Sequence, residues 1–103
     1  MKKIKSLKIL GKQYKIDYRG PGSKSLKYDD QRCLGVCYSD DALMIIANNL
    51  TDDVLAEVLI HESLHAFSDS LKIGLREDQV HRLAECLLSF LKDNQEVVEQ
   101  IYK

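Results

Sequence analysis

The hydrophobic pattern of this chain changes period once, near Thr51, and that change divides it into a strand half and a helix half. Upstream, apolar residues mostly alternate with polar ones, the two-residue repeat of a half-buried strand. Residues 4–10 carry Ile4, Leu7 and Ile9 among lysines, and residues 13–19 set Tyr14, Ile16 and Tyr18 against Lys15, Asp17 and Arg19. Gly11-Lys12 marks a turn between them, so the two runs are predicted to form a β-hairpin. Gly20-Pro21-Gly22-Ser23 ends it, and a polar loop continues to about Gln31. Residues 34–38 and 43–47, joined by Ser39-Asp40-Asp41 and closed by Asn48-Asn49, read as a second hairpin.

From Thr51 the repeat lengthens to that of a helix. Thr51 or Asp53 can cap it, and Asp52 and Asp53 favour its positive N-terminal end. The helix is predicted to run to about Leu71. Val54, Leu55, Val58, Leu59, Ile60, Leu64 and Phe67 surround most of its circumference, which predicts a central, largely buried element. Lys72-Ile73-Gly74-Leu75 is a short link with a glycine stop. A second helix is predicted from about Arg76 to Leu91 or beyond, with the stripe Val80, Leu83, Ala84, Leu87, Leu88 and Leu91. So short a link makes the two helices antiparallel. The 103 residues suffice for one core, so residues 1–103 read as a single α+β domain. The expected fold is a small antiparallel β-sheet of two hairpins packed on two antiparallel helices.

A net charge of −1 supplies no broad attraction to nucleic acid or to an anionic membrane. Lys2, Lys3, Lys5, Lys8, Lys12 and Lys15 make the N-terminus locally basic. They mostly alternate with apolar residues, so they read as the solvent face of a strand rather than a nucleic-acid patch. Met1-Lys2-Lys3 could begin an export signal, but Lys5, Lys8 and Lys12 interrupt the apolar run of about 7–15 residues that a signal needs. No segment reaches the roughly 18 apolar residues of a membrane span. A cytoplasmic protein without nucleic-acid or membrane partners is expected. The three cysteines, an odd count, suggest thiols. Cys33 and Cys37 could be a metal pair, but no second pair follows, and packing is the preferred reading. Cys86, in a helical stretch, also reads as packing.

The chemistry concentrates at His61-Glu62-Ser63-Leu64-His65. Histidines four apart stack on one face of a helix, where two neutral imidazoles can reach one zinc ion. Glu62 stands about 100° round the helix, beside such an ion without being its ligand. Two of the chain's three histidines form this pattern on its most apolar helix, and burying them there without a metal would be costly. A catalytic zinc takes three protein ligands and keeps one open position. The second helix offers two candidates for the third. Glu77 falls at the edge of the apolar stripe, three before Val80; His81 lies farther round but level with His65 by antiparallel pairing. Glu77 is preferred, His81 is the alternative, and Glu85 fits least.

At these residues the chain resembles the zincin-like metallopeptidases, in the gluzincin-type branch that takes a glutamate from a second helix. More closely, it resembles small phage- or prophage-type single-domain proteins of about this length. Those run through two hairpins, a helix with His-Glu-x-x-His-Ala, and a helix that starts near a glutamate and ends in Asp-Asn. The matching residues are Gly35-Val36-Cys37, His61 to Ala66, Glu77 with Val80 and Leu83, and Lys92-Asp93-Asn94. The likeness covers most of the chain, and His-Glu-x-x-His is its specific part. It implies a zinc metallopeptidase acting on a peptide or protein, with His61, His65 and Glu77 as ligands and Glu62 as general base. It also implies that the strand at 43–47 edges the cleft and pairs with extended substrate. The metzincin pattern does not fit: its third histidine and its glycine would fall at Leu71 and Ser68. Larger relatives add a subdomain that walls the cleft, for which this chain has no room. The alternative is therefore a non-catalytic zinc protein, such as a phage factor that captures a host protein. A metal-free interaction module is the third reading.

Overall fold

A computed structural model describes residues 3–28 and 31–103; Lys2 of the basic run and positions 29–30 of the polar loop lie outside the described residues. Strand β1 (Ser6–Ile9) and β2 (Lys12–Arg19) form the first hairpin, with Leu7 opposite Tyr14. Its two-residue turn places Leu10 (φ +50°) and Gly11 (φ +83°) in left-handed backbone, the twist that closes a tight hairpin. The loop that follows holds more order than its polar composition predicts. A 3-10 turn at Lys24–Leu26 leads into β3 (Lys27–Tyr28), which pairs with β4 (Gln31–Arg32). Leu26 anchors this segment, fully buried against Ile45 and Ala47.

Strands β5 (Gly35–Tyr38) and β6 (Leu43–Ala47) make the second hairpin. β6 also pairs in parallel with β2, from Lys15 opposite Leu43 to Arg19 opposite Ala47. The order is β1-β2-β6-β5, so the sheet is mixed, not purely antiparallel as expected. The physical reason lies in Leu-Met-Ile-Ile-Ala. Met44 and Ile46 bury on one face, Ile45 and Ala47 on the other under Leu26. A strand covered on both faces belongs inside a sheet. The expectation that 43–47 edges the cleft is corrected accordingly: β6 is an inner strand, and β5 is the edge strand beside it.

Helix α1 (Asp52–Leu71) begins where the Thr51 hydroxyl accepts the Val54 N–H. It lays Leu55, Val58, Leu59 and Ala66 on Tyr14, Ile16, Met44 and Ile46. It ends at Lys72, which takes left-handed backbone (φ +54°). Helix α2 (Glu77–Asp93) returns antiparallel along α1: the Leu75 N–H meets the Ser68 hydroxyl near the turn, and Lys92 pairs with Asp53 at the far end. Only Val80 and Ala84 of the α2 stripe are buried. Asn94 interrupts the helix and α3 (Gln95–Ile101) follows. Cys86 is exposed, so the packing expected of it is corrected: α1 covers a narrower arc of α2 than the apolar stripe occupies. No helix among the described residues is long and apolar enough to cross a membrane.

Where β5 crosses α1 it does so at Gly35. A Cβ there would lie 2.8 Å from Val58 Cγ1, 3.0 Å from Ile46 Cδ1 and 3.2 Å from Glu62 Cγ. Gly35→Ala is expected to destabilise the fold by about 1–3 kcal/mol in urea unfolding, and Val58→Ala added to it should restore part of the loss. An unchanged unfolding midpoint for Gly35→Ala would contradict the close crossing.

Candidate metal centre

One helix presents three of the candidate side chains to two environments. His61 and His65 lie on the side of α1 facing the start of α2, with ring centroids 5.1 Å apart. Glu62, one residue on from His61, turns toward the sheet and is buried under β5. Burial, and next the negative charge of Glu77, raise its pKa from 4.5 to about 8.

Glu77, the first residue of α2, reaches back with both carboxylate oxygens. Oε1 lies 2.7 Å from His61 Nε2 and Oε2 lies 2.8 Å from His65 Nε2. One donor atom from each of the three residues falls within 4.8 Å of the others. Two imidazole nitrogens and a carboxylate oxygen are donors that bind divalent metals at about 2.0–2.2 Å, so small side-chain movements would close them on one ion. His61, His65 and Glu77 could therefore hold a metal ion. The Glu77 side chain is 71 % exposed, which leaves the outer side of the cluster open to a further ligand.

His81 does not join the three. Its Nε2 lies 3.2 Å from Glu85 Oε1, one turn along the same helix, and its ring centre stays 6.2 Å from that of His61. Cys37 lies near the cluster but is not part of it. Burial pushes its thiol up to about 11, which disfavours the thiolate that metals bind.

The sequence reading missed Ser68, which fixes the approach of α2. Its buried hydroxyl accepts the Leu75 N–H at 2.9 Å and its carbonyl accepts the Ile73 N–H at 2.9 Å. These bonds fold the link back so that Glu77 starts α2 against the histidines. The only signal for it was its place in the last turn of α1, where free carbonyls need partners. Gly35 was quoted only for a resemblance; its close contact needs the pairing of distant elements. Two concavities among the described residues lie away from the cluster, at the α2–α3 junction and beside Glu57, Glu85 and Leu88.

Two outcomes are expected. In the metal-free protein, folded Glu62 keeps its proton between pH 4.5 and about 8 while the unfolded chain loses it, so stability falls as pH rises through that window. Glu62→Gln should flatten this slope in denaturant titrations; an equally steep slope in the variant would assign it to other groups. In Zn2+ titrations, Glu77→Ala should weaken binding by more than about tenfold, whereas His81→Ala should leave it unchanged. The reverse pattern would exchange the two residues' roles. Comparison with protein-family models, with curated proteins and with solved structures finds no match for this chain.

Proposed function

We propose that this protein is a zinc-dependent peptide hydrolase, with His61, His65 and Glu77 as metal ligands and Glu62 as general base. The observation that carries the reading is a buried carboxyl directly beside a three-donor cluster: Glu62 Oε2 lies 3.9 Å from His61 Nε2. A purely structural metal site has no need of such a neighbour. Two imidazoles with one carboxylate favour zinc among the common divalent ions. When bound there, zinc supplies an acidified water and polarises a carbonyl group.

The residues of the chain do the proton work. With a cation held by the three donors, Glu62 would be favoured as the carboxylate, the form that accepts a proton. Glu62 then takes the proton of the attacking water and delivers it to the leaving amine. Its buried setting brings its affinity for a proton toward neutrality, which suits both transfers.

The edge strand supports a peptide as the substrate class. The Ala47 N–H bonds the Leu34 carbonyl, and the register puts Val36 opposite Ile45. Hydrogen-bonded pairs alternate along an antiparallel ladder, so Gly35 and Cys37 turn their backbone groups away from β6. An extended peptide can pair with these two residues at the rim of the cluster, above Glu62.

Glu62→Gln should retain zinc and lose about 10²–10⁴-fold in the cleavage rate of a quenched-fluorescent peptide library. Cleavage at the wild-type rate in that variant would refute the assigned role. Wild-type protein that holds zinc and cuts no library member would favour the non-catalytic zinc protein, a reading that suits the open outer side of the cluster.

A further inference from the structure

The side of α1 that carries the histidines continues past them. His61, His65 and Asp69 follow at intervals of four, so they stack along one side of the helix. Asp69 stands in the last turn, where the helix dipole favours a cation, yet that turn holds no basic residue. Among the described residues no lysine or arginine pairs with Asp69. Lys12 gives its Nζ to the Ser39 carbonyl at 3.0 Å, and Lys72 at the helix end forms no ion pair.

The carboxylate is nevertheless held in place. Ser39 Oγ donates to Asp69 Oδ2 at 2.5 Å, from the 3-10 turn Ser39–Asp41 that follows β5. The second oxygen, Oδ1, has no hydrogen bond or ion pair among the described residues. Asp69 also borders the edge strand beside the metal cluster. Gly35 lies against Glu62, and Cys37 Sγ is 3.7 Å from Ser39 Oγ. Burial raises the Cys37 pKa most, and the charges of Glu62 and Asp69 raise it further, so both carboxylates lie near that residue.

We propose that Asp69 selects peptides carrying a lysine or arginine at one position, by pairing with the cation of that side chain. The inference rests on the peptide-hydrolase reading for its substrate strand. Gly35 and Cys37 face α1: a Cβ at Gly35 would meet Val58 and Glu62, and Cys37 packs on the α1–sheet core. Residues directly opposed in a β-ladder share a face, with Cβ atoms about 4.5–5.5 Å apart. A peptide paired with β5 therefore turns the side chain opposite Cys37 toward α1. From Cys37 Sγ the path to Asp69 Oδ2 runs through Ser39 in steps of 3.7 and 2.5 Å, so a long basic side chain at that position can bring its cation to Asp69. The pair gives the open Oδ1 a charge-assisted hydrogen bond and gives the helix end the cation it lacks. A glutamate at the same position meets repulsion, so the site both attracts one class and rejects the other.

Fluorescent peptides that differ only by Lys, Gln or Glu at each position in turn test it. Binding is read by polarisation on zinc-loaded Glu62→Gln protein, and cleavage on the wild type. At one fixed position the Lys peptide is expected to bind at least about tenfold tighter than the Gln peptide. Asp69→Asn keeps an acceptor for Ser39 and should abolish that ratio, with the unfolding midpoint and Zn2+ affinity unchanged. Asp69→Lys should turn the preference to Glu. A residue that only pins Ser39 would leave the ratio intact in Asp69→Asn, and that result overturns the proposal. So does wild-type selectivity without a basic position, or the absence of any peptide binding. The two readings fail separately. Peptides sorted by charge at Asp69 but never cut by the wild type end the hydrolase reading and keep the role of Asp69; cleavage indifferent to charge does the opposite.

Discussion

The crossing of β5 over α1 at a residue without a side chain is the contact on which the rest of the site depends. Because Gly35 presents only hydrogen there, the edge strand settles onto Val58 and the stem of Glu62. That approach excludes water from the carboxyl, and exclusion of water raises its proton affinity.

Adjacent residues on a helix differ by about 100°, and here that angle separates two environments. His61 looks out toward α2, where carboxylate oxygens and solvent are within reach; Glu62 is buried under β5 with its carboxyl 3.9 Å from His61 Nε2. A loop could hold one donor in water and the next in the core only by ordering many torsions. The helix does it with a backbone already fixed by its own hydrogen bonds, and the cost of burying Glu62 is spread over the whole α1–sheet interface.

Much of this was legible in the chain. The change of period at Thr51 gave both hairpins and both main helices, because local periodicity reports which face is buried. The histidine spacing gave the pair on α1, and the edge position of Glu77 on its stripe pointed it at α1. What local pattern cannot report is the pairing of distant elements. The parallel contact of β2 with β6 joins residues from different hairpins, and its one trace was that residues 43–47 fail to alternate. The same blindness placed the cleft edge one strand too far in. It also hid Leu26 beneath the sheet, treated Cys86 as covered, and passed over Ser68, whose role exists only once the link has turned.

The parallel register has a consequence for the route by which the chain reaches this structure. Lys15 faces Leu43 across β2 and β6, a separation of 28 residues, whereas His61 and Glu77 meet across 16. Closing a longer loop before any contact rewards it costs more entropy, and non-local strand pairing slows folding. The helical hairpin that carries the donors is therefore the low-contact-order half of the molecule. The sheet closes the longer loop, and the docking of β5 at Gly35 is the contact that takes the carboxyl of Glu62 out of water.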